Sequence, residues 1–195
     1  MIKNGEIVIM NKIKIIALFG KSGAGKDTLQ KYLIQKIPNS KGIISCTTRP
    51  KRDYEKNNID YHFLTLEEFL YDVQQGCMLE YTEFRGWLYG TQLSSLDRNK
   101  INIGVFNLNG MKSLLEDQRL DILPIYIDTP DKIRLERNLK RENNPDCKEI
   151  CRRFLSDESD FNSQFDFFSL IYNNTKKKIT IDNLIYSTNF LVKND

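Results

Sequence analysis

Histidine occurs once in the chain, at His62. A metal centre built on several imidazoles is therefore excluded. The four cysteines, Cys46, Cys77, Cys147 and Cys151, fall in no metal-ligand spacing. Cys147 and Cys151 are four residues apart and share a helix face, which makes half a zinc site and no more. No apolar run reaches 18 residues, so no helix crossing a membrane is expected. No run of five like charges exists either. The longest basic run, Lys176 to Lys178, is too short for a nucleic-acid tail and reads as a solvated turn. The segment around Glu6 lacks a signal-peptide layout, so a cytoplasmic protein with reduced thiols is expected. The formal charge of +3 gives no support to nucleic acid as a partner. No feature specifies an oligomeric state.

What is present suits an ordinary globular protein: 40% hydrophobic and 28% charged residues in a chain of 195, enough to bury a core without disulfides or metal. Residues 13–19 form a short apolar run rich in β-branched side chains, as in a buried parallel strand. A glycine-rich segment, residues 20–25, follows. Apolar residues at 29, 32, 33 and 37 then predict a helix, which Pro38 ends. Residues 101–106 and 122–127 are further strand candidates, with a short helix over 110–117 between them and another over 132–141. Alternating strands and helices predict an α/β fold with a parallel sheet covered on both faces. Residues 45–91 break the alternation and read as an insertion over the sheet, with one helical stretch at 65–75. Residues 179–195 read as a terminal helix. Residues 1–12 are expected to be an N-terminal extension, and Met10 is an alternative to Met1 as the translation start.

Gly20-Lys21-Ser22-Gly23-Ala24-Gly25-Lys26 has the phosphate-loop spacing G-x-x-x-x-G-K. Glycines let backbone N–H groups turn inward around phosphate oxygens, and the next helix points its positive end at the same anion. Lys26 would reach the β- and γ-phosphates. The position after Lys26, normally Ser or Thr, holds Asp27, followed by Thr28. A carboxylate is also a hard ligand for Mg²⁺, so Asp27 is the candidate metal ligand.

Further segments complete an ordered set with the loop: Ser45-Cys46-Thr47-Thr48-Arg49-Pro50-Lys51-Arg52, Asp60-Tyr61-His62-Phe63, Met78-Leu79-Glu80-Tyr81 and Gly86-Trp87-Leu88-Tyr89-Gly90-Thr91. In this order, from about Ile13 to Asn174, the chain resembles the guanylate kinase family. The resemblance implies a P-loop NTPase three-layer fold with an inserted acceptor-binding subdomain and a short helical lid. It places the core in residues 13–44, 92–136 and 154–195, the insertion in 45–91 and the lid in 137–153. It implies transfer of the γ-phosphate of ATP, with Mg²⁺, to GMP or dGMP. Gly20, Ser22, Gly23, Ala24, Gly25, Lys26, Asp27, Thr28 and Asn173 would hold ATP. Arg49, Arg52, Tyr61 and Tyr89 would hold the acceptor phosphate, which guanidinium forks suit. Ser45, Glu80 and Thr91 would hold the guanine ring, whose N1–H and N2–H donors match a carboxylate. Lys26 and the lid arginines Arg137, Arg141 and Arg153 would neutralise the transferring phosphoryl group.

The pattern departs from the family on the central strand. Where it shows L-D-I-D-x-Q-G, this chain has Val105 and Asn107 for the two acids. Both acids are lost there and one, Asp27, is gained in the loop, which suggests a compensated exchange in which Asp27 restores the carboxylate that Val105 lacks. Asn107 can still hydrogen-bond guanine or ribose, without charge. Two alternatives stay open at this point: a kinase for another nucleoside monophosphate, and a catalytically weak guanylate kinase-like binding module. Glu80 argues against the first, and the intact loop against the second.

Overall fold

The computed structural model describes residues 2–3, 6–7, 12–52, 55–84, 86–141, 144–161 and 170–173. The expected terminal helix over 179–195 lies outside them. Two short strands, β1 (Ile2–Lys3) and β2 (Glu6–Ile7), pair antiparallel. The principal sheet takes β3 (Ile13–Phe19), β4 (Ser40–Gly42), β9 (Ile101–Val105), β10 (Leu120–Asp128) and β11 (Leu170–Asn173). All its pairings are parallel, in the order β11-β10-β3-β9-β4.

β3 explains the layering. Its residues alternate between faces, and both faces are apolar. Ile13, Ile15, Ala17 and Phe19 join Phe106, Met111 and Leu114 on one side. Ile16 and Leu18 join Leu29, Leu33, Ile37, Ile103 and Ile125 on the other. Helices α1 (Lys26–Lys36) and α3 (Leu108–Glu116) thus cover opposite faces of the sheet. Helices α4 (Asp131–Lys140) and α5 (Cys147–Phe161) pack together. Helix α3 begins two residues earlier than its apolar spacing predicts, because the Asn107 side chain accepts the Gly110 N–H at 2.7 Å and caps it. No helix among the described residues is long and apolar enough to cross a membrane.

One polar side chain inside the sheet is fully satisfied. Asn102 on β9 donates to the carbonyls of Lys14 (3.1 Å), Asp97 (2.9 Å) and Lys100 (3.1 Å) and accepts the Asp97 N–H (2.8 Å). Asn102→Ala strands these groups, so a loss of about 3 kcal/mol is expected in a denaturant titration.

The break at residues 45–91 is a second sheet. It contains β5 (Cys46–Thr47), β6 (His62–Phe63), β7 (Met78–Phe84) and β8 (Trp87–Gln92), in the order β6-β5-β8-β7. Helix α2 (Leu66–Gln74) carries a capping box between Thr65 and Glu68. Strand β7 packs against α3, which brings the insertion to the end of the principal sheet. The loops leaving β3, β9 and β10 open at that same end. β3 is where the strand order reverses, the usual place for a ligand crevice in an open parallel sheet.

Candidate functional site

The loop from Gly20 to Gly25 joins β3 to α1. Gly23 has φ +76°, and a Cβ there would lie 2.6 Å from the Arg134 carbonyl. Gly25 caps α1 in the left-handed region, φ +98°, and no side chain closes the helix. The first-turn N–H groups of α1 therefore face outward with the positive end of the helix dipole behind them. The loop carbonyls are tied to the scaffold. Thr129 Oγ1 donates to the Ala24 carbonyl at 3.0 Å, and Arg137 Nη1 to those of Gly23 and Ala24, each at 3.2 Å. Lys26 Nζ folds across the loop to the carbonyls of Gly20 (2.8 Å) and Lys21 (3.1 Å). Burial lowers the Lys26 pKa, and the charges of Asp27 and Asp157 oppose that.

A cleft of about 580 Å³ runs from this loop to the insertion. At the insertion end, the Arg49 guanidinium forks onto Glu55 at 3.0 and 2.8 Å and stacks 5.6 Å from the Tyr61 ring. Glu55, buried, also accepts the Arg52 N–H at 2.8 Å. The pair raises Arg49 and lowers Glu55 through their mutual hydrogen bonds, against the opposing effect of burial, which is the larger single influence on each. Tyr61 meets Tyr89 edge to face, ring centres 6.3 Å apart. Burial raises the Tyr61 hydroxyl, and the Asp27 charge adds to it. Arg153 is lowered by burial first and then by the Arg52 charge, with Arg141 contributing. Mutual repulsion of this kind marks several cations gathered around one space, a well for a multiply charged anion.

The floor beneath is acidic. Glu80 on β7 is buried, and burial pushes its carboxyl above the usual range, opposed in part by the adjacent Thr91 hydroxyl. Thr91 Oγ1 is itself buried and makes no hydrogen bond of ordinary geometry among the described residues. Cys46 lies behind them. Its thiol donates to the Gly90 carbonyl, and burial together with Glu80 pushes it up to about 12. A Cβ on Gly110 would lie 2.8 Å from Glu80 Oε2.

The structure therefore brings Gly20, Ser22, Lys26, Ser45, Arg49, Arg52, Tyr61, Glu80, Tyr89, Asn107, Arg141 and Arg153 to the walls of one cleft. Gly23, Ala24 and Gly25 form the back of the loop, and Arg137 lies beneath it. Thr91 sits behind Glu80. Asp27 and Thr28 are exposed on the first turn of α1. Asn173 ends β11 in register with Asp128. The spacing of motifs did not reveal Glu55, Lys112, Asp157 or Asp160, which also line the cleft. Glu55 carried one signal, an acid three residues beyond Arg52. Asp157 sits in an acidic pair that reads as a solvated helix face.

The chain is similar to known proteins of one family. A family model described as guanylate kinase matches residues 12–184. The guanylate kinase of Helicobacter hepaticus is 33% identical over 168 residues, 84% of each chain. The human guanylate kinase is 34% identical over 155 residues, 76% of this chain and 77% of its own. In fold, the crystal structure of guanylate kinase from Anaplasma phagocytophilum aligns with a TM-score of 0.67 at 23% identity, covering 94% of this chain and 88% of that one. The chain belongs to the guanylate kinase family.

Proposed function

We propose that the chain transfers the γ-phosphate of ATP to GMP or dGMP. The observation that carries this reading is the buried Glu80 carboxylate, set in the same cleft as the glycine loop and a ring of arginines. A carboxylate accepts guanine N1–H and N2–H together, whereas adenine offers no such donor pair. Arg49, Arg52, Tyr61 and Tyr89 take the acceptor phosphate, with Glu55 holding the Arg49 fork in place. Ser45 and Asn107 flank the base and ribose, and Thr91 backs Glu80.

The loop residues Gly20, Ser22, Gly23, Ala24 and Gly25, with Lys26 and Thr28, take the donor phosphates, and Asn173 the region of the donor base. Among the described residues no three His, Cys, Asp or Glu side chains gather into a metal cage. One exposed carboxylate beside the loop, Asp27, suits Mg²⁺, which binds through one or two carboxylates, substrate phosphates and water. Bound there, Mg²⁺ would neutralise charge on the donor phosphates. No general base is required, since the acceptor oxygen is already anionic. Lys26, Arg141 and Arg153 supply positive charge where it accumulates, Arg137 holds the loop, and closing of the insertion (45–91) and lid (137–153) excludes water.

Calorimetric titration tests the acceptor site. GMP and dGMP are expected to bind at least about 100-fold more tightly than AMP, the upper end of what leaving one buried polar group unpaired costs. Equal affinities would discard the assignment of Glu80. Gly110→Ala tests the floor. Its Cβ displaces the Glu80 carboxylate, so the KM for GMP is expected to rise on the order of 10-fold while that for ATP is unchanged.

A further inference from the structure

The loop's anion seat has an occupant belonging to the chain itself. Helix α5 places Phe154, Asp157 and Glu158 on one face by their i, i+3, i+4 spacing. That face meets the buried Arg134 of α4. The Arg134 guanidinium donates to the Ser22 carbonyl (3.2 Å) and Asp157 (3.3 Å) through Nη1, and to Asp131 (2.6 Å) and Glu158 (3.1 Å) through Nη2. It stacks 4.5 Å from Phe154. Lys21 of the loop pairs with Glu158 at 2.6 Å. At the centre of this cluster, Asp157 Oδ2 accepts the Ser22 N–H at 2.6 Å.

A backbone N–H in a phosphate loop is there to meet an anion. Here it meets a carboxylate, which lines the cleft beside Gly20, Ser22 and Lys26. A phosphate oxygen and that carboxylate cannot share one N–H, and at contact in a half-buried site their like charges repel. Burial already disfavours the charged form of Asp157, although Ser22, Lys26 and Arg134 oppose this.

We infer that Asp157 is an internal competitor for the donor phosphates. It holds the Ser22 N–H until ATP enters, is displaced by the incoming phosphate, and so sets the affinity for the donor. Displacement also loosens α5 from the loop, the same helix that carries Arg153 on the acceptor side. The inference rests on the reading of the loop as the donor site.

The test is calorimetric titration of the full chain with Mg-ATP, with inorganic tripolyphosphate and with GMP. Wild type is compared with Asp157→Ala and with Asp157→Asn, which keeps an acceptor for Ser22 but loses the charge. Loss of a charge-assisted hydrogen bond from the competing state is expected to tighten Mg-ATP and tripolyphosphate about 10-fold in Asp157→Ala. Asp157→Asn tightens both about threefold, and GMP affinity stays within about twofold in each. Unchanged or weaker binding of both anions in the two variants overturns the inference. Weaker Mg-ATP with unchanged tripolyphosphate also overturns it, and makes Asp157 a magnesium ligand instead. If wild type and variants alike bind GMP but neither anion, the reading of the loop fails and takes the inference with it.

Discussion

Lys26→Met is expected to lower kcat for phosphoryl transfer about 10³-fold, the usual cost of removing a charged group aimed at the transition state. Lys26 is held across the loop by the Gly20 and Lys21 carbonyls and lines the cleft at the loop proposed to take the donor phosphates. Methionine keeps most of the stem and removes the charge. The KM for GMP is expected to stay near its wild-type value, because the groups proposed for the acceptor lie on the insertion and at Asn107, not on the loop. Steady-state rates at saturating GMP check this, with circular dichroism confirming that the variant folds. A fall of less than about tenfold would mean that Lys26 only braces the loop.

Glu80→Gln is expected to reduce kcat/KM for GMP about 10³-fold without lowering the weak turnover of AMP, since an amide presents a donor where guanine also presents donors. The pH dependence follows from the same burial. On the proposed reading ionised Glu80 would bind guanine, and burial holds its carboxyl above the usual range. GMP affinity is therefore lost as pH falls through that raised value. Stability moves the other way. The folded protein holds the Glu80 proton more tightly than the unfolded chain does. This contribution is fully present below the unfolded pKa and is lost as pH rises through the folded one. Glu80→Gln should thus be no less stable than wild type at alkaline pH, a specificity group kept at a cost in stability.

The alternation of β3, α1, β9, α3, β10 and α4 was legible because the strands are short apolar runs and the helices carry spaced apolar residues or boundary residues such as Pro38 and Pro130. The sheet of the insertion was not. Its strands Cys46–Thr47 and His62–Phe63 are two residues long, too short for any period to show. The start of α3 was hidden because Asn107, read only as a ligand group, also caps the helix. In the site, Arg49, Arg52, Tyr61, Glu80 and Tyr89 stand in ordered motifs, and the fold gathers them. Glu55, with only its spacing from Arg52 as a signal, and the Arg134–Asp157–Glu158 cluster were missed for a different reason. Their meaning lies in partners brought from elsewhere in the chain. Nothing local to Asp157 reveals that Ser22, 135 residues away, donates to it.

The measurement that tests the central claim most directly is ADP formation from Mg-ATP with GMP, dGMP, AMP, UMP or dTMP, each alone. Turnover is expected with GMP and dGMP and almost none with the other three, and the ratio of the first two would report what Asn107 contributes to the proposed base and ribose site. Equal turnover with AMP, UMP or dTMP, or none with either guanine nucleotide while ATP binds, would contradict it.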